Sequence, residues 1–77
     1  MSIPSILRKT QVGDVEISTI ALSYPDYEIA ETMIFLDSSY PGLVDQSCER
    51  GPGSGWLQQH QAMVEKVTAA VYGYATT

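Results

Sequence analysis

His60 is the only histidine in the chain and Cys48 the only cysteine, so any catalytic reading has to be built around very few residues. His60 lies four residues after Trp56, three before Met63 and seven before Val67. At helical spacing this puts it on or beside an apolar stripe. As a general base or metal ligand it would need a companion, and Glu31 and Asp26 are the carboxylates considered. Without a second ligand at motif spacing, it is a poor metal site. The simpler expectation is a boundary histidine hydrogen-bonded to a sheet, at Glu31 or Thr32. Cys48 has Glu49 beside it, and a neighbouring carboxylate raises rather than lowers a thiol pKa. One cysteine also excludes an intramolecular disulfide and a zinc site made of several thiolates. Gly51-Pro52-Gly53-Ser54-Gly55 lacks the Lys-Ser or Lys-Thr of a phosphate loop and reads as a flexible connector. Ser18 has no base or oxyanion motif near it. The sequence therefore predicts no catalytic residue, no metal and no cofactor, and points to binding.

The charge pattern carries more information. Net charge is -5, and no lysine, arginine or histidine occurs from Gln11 to Glu49. That stretch holds Asp14, Glu16, Asp26, Glu28, Glu31, Asp37, Asp45 and Glu49. Arg8, Lys9, Arg50 and Lys66 all lie outside it. Such a surface repels phosphates and anionic membranes and attracts basic surfaces. It also serves the plainer purpose of keeping a small protein soluble. Five tyrosines, Tyr24, Tyr27, Tyr40, Tyr72 and Tyr74, are many for this length, and several fall in turns or at the terminus. Exposed tyrosines among acids make good protein-binding surfaces, with large contact area at low entropic cost.

These residues need elements to hold them. A chain of 77 residues allows one domain, here 1–77. No apolar run approaches the ~20 residues of a membrane span, and Met1–Leu7 is too short and too weakly charged for a signal peptide. The expected location is the cytoplasm. Strands are predicted over Ile6–Val12 and Val15–Leu22, joined by Gly13-Asp14 in a type II′ turn. Pro25 suits the second position of the next turn. Tyr27–Leu36 reads as a strand because Ile, Thr and Phe cluster at its end, although Glu, Ala and Met also favour a helix. Leu43–Arg50 is a weaker strand candidate. Ser54 is the expected N-cap of a helix running from Gly55 or Trp56 to Tyr72. Its apolar positions are Trp56, Leu57, Met63, Val64, Val67, Ala70 and Val71, followed by Tyr74, and Gly73 closes it. The fold expected is α+β, with a small antiparallel sheet of three to four strands packed against one C-terminal helix.

Three segments carry a family resemblance: Ile17-Ser18-Thr19-Ile20, Glu31-Thr32-Met33-Ile34-Phe35 and His60-Gln61-Ala62-Met63-Val64. In this order they resemble a widespread group of small bacteriophage-encoded proteins that read IST-V, then FETMVF, then G-H-x-x-M-V. The matched segments fall between Gly13 and Val67. The family's Asp-His after the first strand is missing here, where the chain reads Ser23-Tyr24-Pro25-Asp26. The family's helix start is replaced by Gly51–Gly55. Glu31 and His60 match its recurrent polar pair. Some short acidic phage proteins of this general kind are anti-CRISPR proteins, including ones directed at type I complexes, and the resemblance implies a type I target for this chain, with I-C as the subtype considered.

The resemblance and the acidic stretch together imply a phage protein acting in the host bacterial cytoplasm as a monomer or weak homodimer. The expected partner is a type I Cascade subunit with a basic DNA-binding surface. Asp14, Glu16, Asp26, Glu28, Asp37 and Asp45, with Tyr24, Tyr27 and Tyr40, would form the partner-binding surface, with carboxylates standing in for phosphates. Direct binding of nucleic acid or membrane is not expected. The alternatives are an accessory protein that inhibits another host protein, one that traps a small ligand, a virion component, and an enzyme built on Glu31 and His60.

Overall fold

The computed structural model describes residues 5–73. Strand β1 (Ser5–Val12) and strand β2 (Val15–Ser23) form a hairpin around Gly13-Asp14, with Val12 opposite Val15. Gly13 has φ +60°, whereas Asp14 is not among the positive-φ residues, which is the pattern the predicted turn requires. Strand β3 (Glu28–Leu36) returns along β2 through Tyr24–Tyr27, where the Tyr24 N–H donates to the Tyr27 carbonyl at 2.9 Å. Strand β4 (Cys48–Pro52) pairs with β3, and the antiparallel sheet has the order β1-β2-β3-β4.

Three local expectations fail, two of them before the helix and one at its start. Leu43–Ser47 is not strand, because Gln46 takes a left-handed φ of 62° and breaks the extended run. The segment instead folds over the end of β3: Gln46 N–H donates to the Ile34 carbonyl, and Asp45 accepts from the Leu36 N–H, both at 2.8 Å. Nor is Gly51–Gly55 a loose connector. Gly51 and Pro52 complete β4, and Gly53–Gly55 forms one 3₁₀ turn. A Cβ on Gly51 would collide with the Gln59 carboxamide, so glycine there leaves room for the side chain that reaches from the helix across the last strand.

Helix α1 spans Trp56–Tyr72. Gly55, not Ser54, is its N-cap, and no side chain caps it. The 3₁₀ turn takes over part of that role, with Trp56 N–H bonded to the Gly53 carbonyl. At the other end Gly73 adopts φ 74° and its N–H bonds to the Ala69 carbonyl, as expected of a C-terminal glycine. Tyr74 lies outside the described residues.

The helix packs on one face of the sheet. Val12, Val15, Ile17, Ile34, Met63 and Val67 form the core, with Leu36, Tyr40, Leu43, Val64 and Val71 around it. Among the described residues no helix is long and apolar enough to cross a membrane.

Candidate functional site

Because side chains alternate along a strand, the register of β2 on β3 sorts every residue to one face. Thr19 and Thr32 face each other under the helix, and both are fully buried, as is His60 at 1% exposure. His60 Nδ1 lies 2.7 Å from Thr19 Oγ1, and Nε2 lies 2.7 Å from Thr10 Oγ1. Thr19 Oγ1 in turn lies 2.6 Å from Thr32 Oγ1, which accepts from Gln59 Nε2 at 3.0 Å. One donor order gives the fully buried Thr19 and Thr32 hydroxyl hydrogens an acceptor each. Gln59 donates to Thr32, Thr32 to Thr19, Thr19 to His60 Nδ1, and His60 Nε2–H to Thr10. That order requires a neutral imidazole. Burial pushes the His60 pKa below its ordinary value, and the Arg8 charge pushes it further the same way.

Sequence reasoning set His60 at the boundary with Glu31 or Thr32 as partner. It is in the interior, Thr19 and Thr10 are its partners, and Thr32 is one bond further on. Glu31 points to the other face of the sheet, where Arg50 Nε donates to it at 2.7 Å. The two therefore share no site. The signal for the network was present in the sequence: Thr10, Thr19 and Thr32 fall on inward strand positions. Only the register could show that they converge.

The predicted partner-binding residues divide between the two ends of the sheet. One end carries the Gly13-Asp14 turn and the loop after β3. There Asp14 accepts from Ser38 Oγ at 2.6 Å and from Tyr40 Oη at 2.5 Å. The Ser38 bond, then the Tyr40 bond, hold the Asp14 carboxyl below its ordinary pKa, while Asp14 raises that of the Tyr40 hydroxyl. Asp37 is exposed in the same loop, and Asp45 is the acceptor for Leu36.

The other end carries Tyr24, Asp26, Tyr27 and Glu28. The two tyrosine rings stack with centroids 4.8 Å apart, and both are exposed. Asp26 and Glu28 flank them in solvent, with Ser23 Oγ donating to Glu28 at 3.1 Å. Nine-residue strands separate the two ends by roughly 30 Å. Glu16 is beside the Gly13-Asp14 turn but on the opposite face from the core. It lies on the face that the helix leaves open, 3.8 Å from Lys9. The expected acidic sheet face is thus two acidic ends, of which the tyrosine end has the freer side chains.

Compared with known proteins, the chain matches no family model, no curated protein and no solved structure. Its reading rests on its own residues. Among the described residues, no three His, Cys, Asp or Glu side chains converge as metal ligands would. An open hollow of about 430 Å³ lies between β1 and α1, lined by Arg8, Thr10, His60, Gln61, Val64 and Glu65. His60 is only 1% exposed there, with both ring nitrogens occupied by hydroxyls. Reaching a substrate would mean breaking those bonds.

Proposed function

We propose that this chain is a phage-encoded inhibitor of bacterial CRISPR immunity that acts by binding. It docks on the basic DNA path of a type I surveillance complex in the host cytoplasm and blocks target DNA. The observation that carries this reading is the base-free acidic stretch from Gln11 to Glu49. Two of its exposed carboxylates, Asp26 and Glu28, flank two stacked, exposed tyrosines. Carboxylates at Asp26 and Glu28 offer a lysine- or arginine-lined groove the charge that DNA phosphates would offer. The tyrosine rings add contact area that costs little entropy to order. The resemblance to small phage proteins supports the same assignment, and the net charge would speed encounter with a basic target.

The test is an affinity pull-down of tagged protein from bacteria expressing a type I system, with captured proteins identified by mass. Capture of surveillance subunits, lost as salt is raised, is expected. Replacing Asp26→Lys and Glu28→Lys together should weaken capture and inhibition at least tenfold, about 1.4 kcal/mol, and leave the fold intact, since both residues are exposed and outside the core. Inhibition that survives reversal at both acidic ends would overturn the mimicry.

A further inference from the structure

The helix covers one face of the sheet and nothing described covers the other. The strand register places Ile6, Ile20, Leu22, Ile29, Met33 and Phe35 on that open face. Ile6 is 61% exposed and Phe35 39%, each one residue in from the end of its strand, so the apolar surface reaches both ends of the face. Four charged residues share the face. Lys9 pairs with Glu16 on the β1–β2 side, and Arg50 pairs with Glu31 on the β3–β4 side. Two bases and two acids cancel there. The remaining two bases and seven acids leave the whole charge of -5 elsewhere on the molecule.

We infer that this face is where a second copy of the chain packs, sheet against sheet, to give a reversible homodimer. The charge distribution selects the occupant. Two copies repel each other through any acidic surface they present, but on this face each meets a neutral, apolar field. A basic partner gains nothing there, because both acids are already paired with bases of the same face. Packing two such faces about 10 Å apart would bury the six apolar side chains between the sheets. It would leave both helices, and all four acidic ends, on the outside.

The area sets the strength. Each strand residue covers about 16 Å² of sheet, so strands of 8, 9, 9 and 5 residues present roughly 500 Å² in projection. Standard interfaces bury about 800 Å² per partner and transient ones less than about 600 Å². The dimer should therefore be concentration-dependent, with a Kd on the order of micromolar or weaker.

Sedimentation of the full chain from about 1 µM to about 1 mM tests this across the range such an interface implies. The mass should rise from 8.4 kDa towards twice that value. A mass that stays at 8.4 kDa throughout overturns the inference and leaves the face to a different protein. Ile6→Lys with Phe35→Lys puts two uncompensated positive charges on each face, at positions already exposed in one protomer. This variant should remain monomeric with unchanged circular dichroism. If it dimerises as the parent does, the contact lies elsewhere, for instance at the β1 edge. Should it not fold, the unaltered protein still gives the answer. Cys48 is exposed and pairs with Met33 in register, so its thiol lies on this face. Its alkylation should slow as concentration rises, and a constant rate would refute the packing. Asp26 and Glu28 lie at the end of the sheet, where Glu28 borders this face beside Ile29, and neither is among its apolar side chains, so the binding test and this one can fail separately.

Discussion

At the scale of single residues, His60 shows how a chemically capable side chain can be committed to structure. Its two ring nitrogens tie α1 to β1 and β2, and Gln59 ties the same helix to β3 and β4 through the Ala30 and Glu49 carbonyls. Thr19→Val keeps shape but leaves the Thr32 hydroxyl hydrogen without an acceptor and His60 Nδ1 without a donor. We expect a loss of about 1–3 kcal/mol, read as a drop in Tm of roughly 4–8 °C per kcal/mol. Replacing the whole set with apolar residues (Thr19→Val, Thr32→Val, His60→Leu) should lose less than that single change, because no buried donor is stranded. A triple variant markedly less stable than Thr19→Val would mean that the network contributes net stability. The same bonds set a pH dependence. The folded His60 pKa lies below the ordinary 6.5, so the unfolded chain binds the proton more readily. Stability should therefore be full above pH 6.5 and fall as pH drops below it. Protonation would place a charge in the interior and turn Thr19 from donor to acceptor, reversing the chain as far as Thr32. Asp14, with its pKa also lowered, adds a second loss of the same sign only below about pH 3.8. Melting scans across this range should show the upper step in the parent and not in the triple variant.

At the scale of elements, most boundaries could be read from local chemistry. The hairpin followed from Gly-Asp between β-branched runs, and α1 from apolar spacing that ends at Gly73. What failed were features decided by contact rather than by sequence. Leu43–Ser47 has strand-like residues, but one left-handed residue, Gln46, lets its backbone and Asp45 cap β3 instead. Gly51–Gly55 has the composition of a loop, yet Gly51 is needed where Gln59 crosses β4. Ser54 looked like the helix cap because the 3₁₀ turn before Trp56 leaves no trace in the pattern. The site was legible only in part, since residue types showed an acidic, tyrosine-rich chain but not its division between two ends. Gly13 allows a direct comparison of backbone terms. Its φ of +60° is costly for any residue with a side chain, and a Cβ there would sit 3.1 Å from Val71. Gly13→Ala should lose about 1–2 kcal/mol in urea unfolding. Gly55→Ala, with negative φ and open space around it, should change stability by less than about 0.5 kcal/mol. Equal effects at the two sites would show that the turn conformation is not strained in the way argued.

At the scale of the whole molecule, the proposed activities use surfaces that adjoin at Glu28 and Ile29, and their response to salt separates them. Binding through Asp26, Glu28 and the other exposed acids works by long-range attraction. Its association rate should fall steeply as ionic strength rises and the Debye length shortens to about 8 Å near physiological salt. Self-association through the open face works by apolar burial between neutral surfaces, so salt should leave it unchanged or strengthen it slightly. Measuring partner capture and sedimentation at the same series of salt concentrations would then give opposite trends. Charge reversal at Asp26 and Glu28 should weaken capture at least tenfold, equivalent to about 1.4 kcal/mol, because two attractive charges become two repulsive ones. The dimer mass of that variant should match the parent. If dimerisation is lost together with binding, the two surfaces are one, and the partner recognises a face that exists only when two copies meet.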